Sequence, residues 1–156
     1  MATGGFANIT ATYTDNFDFT GGGEHCGGTL GGQPYRVTGD ANLPASERTV
    51  DRWFDTSVFQ RPTGRGDLGN NCNNAKVTLP GYNNHDLSLF KDFPMSRNQK
   101  MQFRAEVYNL FNHTQFADVN TAAQFDATGK QTNVNFGKVT SARNERRMQL
   151  SIRYIF

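Results

Sequence analysis

The last ten residues of the chain, 147–156, carry an apolar side chain at every second position. The apolar set is Met148, Leu150, Ile152, Tyr154 and Phe156. Because successive side chains of a strand point to opposite faces, this period of two predicts one β-strand with an apolar face and a polar face. Its length is about that of a tilted strand that crosses a bilayer. The alternative is an amphipathic strand that ends a soluble β-sandwich.

Composition excludes some classes of protein but is compatible with both a membrane-spanning strand and a strand of a soluble β-sandwich. The chain of 156 residues has the size of one domain, and 36% of its residues are hydrophobic. No run approaches the ~18 apolar residues that a membrane-spanning helix needs, whereas a β-barrel buries only alternate residues in lipid. A formal charge of +2 gives no reason to expect a nucleic-acid partner. Residues 1–5 do not resemble a signal peptide, so we expect any export signal to lie upstream.

Three further segments alternate apolar and polar residues and are long enough to cross a membrane as β-strands. They are 7–17, 85–93 and 100–111, and a short turn over 94–99 joins the last two into a hairpin. The segments 18–84 and 112–146 are polar and rich in turn residues. Such long stretches are unusual in a compact soluble domain and normal in the external loops of an outer-membrane barrel.

The lengths of the connections also agree with an outer-membrane barrel. Such barrels have short periplasmic turns, long external loops and a periplasmic C-terminus. Counting back from Phe156 places 112–146 and 18–84 outside and 94–99 on the periplasmic side. The predicted fold class is all-β, with antiparallel strands that form the C-terminal portion of a transmembrane β-barrel with long external loops.

The same strands assign side chains to lipid and to the lumen. The predicted luminal charges are Arg104, Glu106 and Arg153, with an ion pair between strands that joins Glu106 to one of the two arginines. Tyr154 and Phe156 are predicted to lie in the periplasmic aromatic girdle. The predicted lipid-facing residues are Ile9, Ala11, Tyr13, Leu87, Leu89, Met101, Phe103, Ala105, Val107, Met148, Leu150 and Ile152.

Cys26 and Cys72 both lie in the predicted external segment 18–84. Two cysteines in a hydrophilic, Gly-rich region predict one disulfide that staples the loop, if the region faces an oxidising compartment. Free thiols are the main alternative. A metal site is less favoured, because His25 beside Cys26 supplies too few ligands.

Patterns of catalytic or cofactor-binding residues are missing from the sequence. The histidines have no paired spacing for a metal, and Glu106 alternates as a strand residue and does not face a second carboxylate. The Gly-rich stretches lack the spacing of a phosphate-binding loop. We therefore expect no enzyme activity and no catalytic, cofactor or metal site.

Four blocks of sequence resemble the C-terminal end of Oar-like TonB-dependent outer-membrane receptors, which are abundant in Acidobacteria. This family often carries a carboxypeptidase-regulatory-like domain at its N-terminus. The resemblance covers about 50–156 well and 1–49 loosely. The blocks occur in the order of the family and are RWFDTSVF at 52–59, PGYNNHDLSLFKDF at 80–93, QFRAEVYNLFNHTQF at 102–116 and NFGKVTSAR at 135–143.

The resemblance implies a barrel of about 22 strands with an N-terminal plug and a TonB box. It implies that the plug and most of the barrel are absent from these residues, and that TonB is contacted through those missing N-terminal parts. The C-terminal strand resembles that of bacterial outer-membrane barrels, where alternate apolar residues before a final Phe are the signal that the barrel-assembly machinery reads. The assembly signal is then Met148, Leu150, Ile152, Tyr154 and Phe156, and the location is the outer membrane of a Gram-negative bacterium.

Two functions are compatible with these features. The first is a C-terminal wall segment of a TonB-dependent transporter, in contact with outer-membrane lipid and of unknown ligand. The second is a free extracellular β-protein that self-associates through its sheet edges into a filament or other assembly, because unpaired edges template further pairing. Dry contact between apolar faces of separate copies would favour the second function.

Overall fold

The computed structural model describes residues 4–15, 33–64, 66–72 and 75–156. Within these ranges the chain forms eleven strands and no helix, so none of the described segments is a helix able to span a membrane. The predicted all-β class is therefore confirmed. The strands are β1 (Phe6–Asn8), β2 (Thr10–Tyr13), β3 (Arg36–Val37), β4 (Phe59–Gln60), β5 (Lys76–Thr78), β6 (Leu87–Ser96), β7 (Gln99–Tyr108), β8 (Phe116–Val119), β9 (Ala122–Phe125), β10 (Val139–Ala142) and β11 (Arg147–Ile155).

The three longest strands form one antiparallel sheet, which we call the long sheet, in the order β11-β7-β6. The predicted hairpin is confirmed as β6 and β7, although its turn is tighter than the predicted 94–99. Pairing continues through Pro94 opposite Lys100 and Ser96 opposite Gln99, so that residues 97–98 alone make the turn. β11 then pairs along the other side of β7 for its whole length. Consecutive strands of the long sheet therefore run in the alternating directions that the sequence predicted.

The eight short strands lie in the described residues of 4–86 and 109–146, which we call the loop body. They form four two-stranded sheets, of which β1-β5, β3-β4 and β10-β8 are antiparallel and β2-β9 is parallel. One apolar core joins them, and three phenylalanine rings within it meet edge to face, with Phe54 5.3 Å from Phe136 and 6.0 Å from Phe59. The segments predicted to be external loops therefore hold a folded unit of their own.

The first predicted membrane strand, 7–17, differs from the structure. β1 and β2 are two short strands separated at Ile9, whose N–H donates to the carbonyl of Ala75 at 2.9 Å. Ile9 and Ala11 are fully buried in the core of the loop body, so the prediction that they face lipid is wrong. Their alternation is real, but an apolar face with a period of two packs equally well against protein or lipid. Residues 16–17 lie outside the described residues.

A buried arginine links three segments of the loop body. The guanidinium of Arg61, whose side chain is 7% exposed, donates to both carboxylate oxygens of Asp15 at 2.9 and 2.7 Å. It also donates to the carbonyl of Asp126 and lies 4.8 Å from the ring centre of Tyr13. A buried charge needs such partners, because an uncompensated one is strongly destabilising. Arg61 thereby joins the end of β2 to the turn after β9.

Replacing Gly69 with alanine is expected to destabilise the loop body more than the same change at Gly66. Both glycines have positive φ, +63° and +85°, which costs an L-residue about 1–2 kcal/mol. A Cβ at Gly69 would lie 2.3 Å from the carbonyl oxygen of Tyr35, whereas one at Gly66 meets nothing within 4 Å. The measurement is chemical unfolding of each variant, followed by the fluorescence of Trp53, the single tryptophan. Equal losses at the two positions would contradict the close approach at Tyr35.

Acid is expected to destabilise the loop body in part through Asp67. Backbone N–H donation from Thr63 at 2.9 Å and Gly69 at 3.1 Å, with the guanidinium of Arg36 at 2.7 Å, lowers the pKa of this carboxyl to about 2. A lowered folded-state pKa stabilises the protein above the ordinary value near 4, and this stabilisation is lost as pH falls towards 2. Asp67→Asn should therefore unfold more easily at pH 7 and lose less stability between pH 4 and pH 2. Asp51→Asn, which removes a carboxylate that is 84% exposed and lies 3.7 Å from the ammonium of Lys138, is the control and should destabilise the protein less at pH 7 than Asp67→Asn.

Candidate functional site

The long sheet has one apolar face, set by the register of its three strands. Residues that lie opposite one another on the three strands form four rows across this face. The second row is Leu89–Ala105–Leu150, in which Leu150 is 72% exposed. Lys91 is the charged residue of the third row, which is next to the row at the turn end of the hairpin. Its long aliphatic stem can carry the ammonium group towards that end of the sheet. The four rows are Leu87–Val107–Met148, Leu89–Ala105–Leu150, Lys91–Phe103–Ile152 and Phe93–Met101–Tyr154.

The opposite face of the long sheet is polar and holds all three predicted luminal charges. Arg104 and Glu106 lie on β7, and Arg153 lies on β11 opposite Gln102. The guanidinium of Arg104 is 3.7 Å from the carboxylate of Glu106 and 4.5 Å from the ring centre of Phe90. This ion pair joins two residues of one strand, where the sequence had predicted a pair between strands. The luminal role of the face stays a prediction.

Four residues of the predicted assembly signal, Met148, Leu150, Ile152 and Tyr154, lie along β11, and the fifth, Phe156, lies just beyond it. Met148, Leu150, Ile152 and Tyr154 share the apolar face, and the ring of Tyr154 stacks on Phe156 at 6.0 Å. Phe156 is 90% exposed. The arrangement presents a continuous apolar strip at the chain end, and its recognition by assembly machinery stays a prediction.

The long sheet is open at both sides in the described part of the chain. β7 is paired on both edges, whereas β6 and β11 each pair on one edge only. Three strands cannot close a barrel, because about eight are needed for the smallest ones. The outer edges of β6 and β11 are therefore where further strands of a wall would add.

Cys72 is disulfide-bonded and lies beside Asn71, which forms a bridge with Tyr35. Cys26 lies outside the described residues, so the pairing of Cys26 with Cys72 stays a prediction. In the described part of the chain, no group of three or more His, Cys, Asp or Glu side chains is placed to hold a metal ion.

A cleft of about 670 Å³, which we call the outer cleft, lies where the long sheet meets the loop body. It is opposite the turn end, at the start of β6 and β11 and the end of β7. The sequence alone did not predict this cleft, because its residues come from three separated segments. Its lining is Tyr82, Asn84, Asp86, Tyr108, Asn109, Gln115, Arg143, Asn144, Glu145, Arg147, Met148 and Gln149.

Two buried amides hold the segments of the outer cleft together. The backbone of Asn109 has φ +54°, and its N–H donates to the carboxylate of Asp86 at 2.9 Å. The side-chain amide of Asn109 donates to the carbonyl of His113 at 3.2 Å and to that of Asn144 at 3.5 Å. Gln115 accepts the N–H of Asn83 on its side chain at 2.8 Å and that of Arg143 on its backbone at 2.7 Å. Asparagine tolerates positive φ better than other non-glycine residues, which is the one local signal of this junction in the sequence.

Comparison with known proteins identifies the family. A family profile described as "Outer membrane beta barrel domain" matches residues 1–149, almost the whole chain. No curated protein and no solved structure matches the chain. The match supports a location in the outer membrane of a Gram-negative bacterium and gives no support to the alternative of a free extracellular protein. By sequence, and in agreement with its all-β fold and two-faced long sheet, the chain belongs to the outer membrane beta barrel domain family.

Proposed function

We propose that these residues form a segment of the barrel wall of a TonB-dependent outer-membrane transporter of the Oar-like type. The register of the long sheet is the observation that carries the proposal, since it keeps most apolar side chains of three strands on one face, interrupted by Lys91, and places Arg104, Glu106 and Arg153 on the other. Such a sheet is adapted to lipid on one side and water on the other. The family match supports the barrel wall, and the resemblance of the four sequence blocks supports the transporter type.

Partners follow from the same proposal. Lipid would contact the apolar face, and the barrel-assembly machinery would read the terminal strand through Phe156 and the alternate apolar residues before it. TonB would act through N-terminal parts that these residues do not include. The proposal assigns no catalytic, cofactor or metal site to the chain.

Fractionation of native cells tests the proposal. An antibody raised against 112–146 should detect a protein much larger than 17.4 kDa in the outer membrane, with a mobility that changes on boiling. Cross-linking in intact cells should join this protein to TonB, and deletion of its TonB box should abolish the cross-link. A heat-modifiable outer-membrane protein that forms no cross-link to TonB would support the role in the barrel wall and contradict the TonB-dependent transporter type.

Self-association is the second candidate, and the unpaired outer edges of β6 and β11 favour it. The same fractionation separates the two. A product of 17.4 kDa that pellets outside the membrane and resists detergent would establish the self-association and overturn the transporter proposal.

A further inference from the structure

The outer cleft lies where the long sheet meets the loop body, and its chemistry points to a ligand. It opens beside the polar face of the long sheet, because Asp86, Tyr108, Arg147 and Gln149 continue the alternate positions of that face. Its volume of about 670 Å³ is in the usual range of ligand pockets, ~300–1,000 Å³. We propose that the outer cleft binds a neutral saccharide.

Charge in the outer cleft is balanced. The lining holds two arginines, Arg143 and Arg147, and two carboxylates, Asp86 and Glu145, so its formal charges cancel. The guanidinium of Arg147 lies 3.6 Å from the carboxylate of Glu145. That of Arg143 lies 4.7 Å from the ring centre of Tyr82. Neither a small anion nor a small cation would find a concentrated opposite charge here, which favours a neutral ligand.

The hydrogen-bonding groups of the outer cleft match hydroxyls. Asn84, Asn144 and Gln149 carry side-chain amides, each of which both donates and accepts. The Oδ1 atom of Asp86 accepts from the side chain of Asn84 at 2.8 Å and from the backbone of Asn109 at 2.9 Å. These bonds orient the carboxylate, and its Oδ2 atom receives no donor from the described residues. Neighbouring hydroxyls of a sugar, which donate and accept at fixed spacing, complement such a set.

Two half-exposed tyrosines supply the remaining contact. Tyr82 is 50% exposed and Tyr108 is 43% exposed, and both residues line the cavity. The guanidinium of Arg143 lies over the ring of Tyr82, so a sugar would stack on Tyr108 or on the uncovered face of Tyr82. An aromatic ring offers a rigid apolar surface together with a polar tip, which suits the C–H face of a sugar ring. Met148 is the sole aliphatic residue of the lining, so a purely apolar ligand would leave many polar groups unpaired.

Binding of neutral oligosaccharides to the native protein tests this proposal independently of transport. The protein is purified in a zwitterionic detergent without a sugar headgroup, and the probes are maltohexaose, xylohexaose and chitohexaose, with hexagalacturonate as the anionic comparison. Binding is measured by saturation-transfer NMR and calorimetry. At least one neutral probe should bind with a Kd below about 1 mM and more tightly than hexagalacturonate.

Tyr82→Ala should weaken that binding at least about tenfold. Phe6→Ala is the matched control, because Phe6 is an exposed aromatic of the loop body outside the outer cleft, and it should leave the Kd unchanged. The change of mobility on boiling verifies that both variants are folded, and Asn144→Ala replaces Tyr82→Ala if that variant unfolds. No binding of any neutral probe, tighter binding of hexagalacturonate, or equal Kd values for the two variants would each overturn the proposal.

Discussion

Replacing Leu150 with arginine is expected to remove most of the native protein from the outer membrane. Leu150 lies in the second of the four rows of the apolar face, opposite Ala105. Its side chain is 72% exposed, so the described residues leave most of it uncovered. If this face meets lipid, an arginine near the middle of the bilayer costs about 2–4 kcal/mol. That is a large share of the ~5–15 kcal/mol that separates a folded protein from its unfolded state.

The measurement is the amount of heat-modifiable protein recovered from the outer-membrane fraction after expression of the native protein. Gln149→Arg is the matched control, because it places the same side chain one residue earlier on the polar face, opposite Glu106. It should be recovered at the level of the parent protein. Normal recovery of Leu150→Arg would show that the apolar face does not lie against lipid.

Replacing Phe54 with alanine is expected to unfold much of the loop body. Its side chain is 1% exposed, and its ring meets Phe59 and Phe136 edge to face at the centre of the core. Removing a buried phenylalanine side chain costs about 3–5 kcal/mol, because contacts are lost and a cavity remains. The loop body consists of short two-stranded sheets, which depend on such packing for their stability.

Chemical unfolding followed by Trp53 fluorescence measures this effect. Trp53 lies within the loop body, where its ring N–H donates to the carbonyl of Thr78 at 2.9 Å. Phe111→Ala removes the same side chain from a position that is 71% exposed, and it should change the free energy of unfolding by less than about 0.5 kcal/mol. A similarly small change for Phe54→Ala would contradict the central place of this ring.

The alternation of the sequence predicted the long sheet because it depends on local geometry alone. Side chains of a strand alternate whatever its partner, so 85–93, 100–111 and 147–156 could be assigned two faces before their pairing was known. The short connection made β6 and β7 a hairpin, and their register then had to keep apolar residues together. A slip of one residue would have moved the whole apolar set of a strand to the polar face.

The loop body could not be predicted in the same way. Val77, Phe125 and Phe136 lie in segments without long alternation, yet they share one buried core with Ile9. The parallel pair β2-β9 joins residues more than a hundred positions apart, from Thr10 opposite Ala122 to Tyr13 opposite Phe125. Contacts across such distances leave no periodic signal, so polar composition and turn residues were interpreted as loops.

The sequence by itself determined the two faces of β6, β7 and β11 and the hairpin that joins the first two, because alternation and connection length are properties of neighbouring residues. Only the tertiary structure decided that Ile9 and Ala11 pack against protein. It also decided that the two long connections share a core, and that Tyr82, Asn109 and Arg143 meet around one cleft. These outcomes depend on which distant segments pack together, since burial and cavity shape arise from that packing.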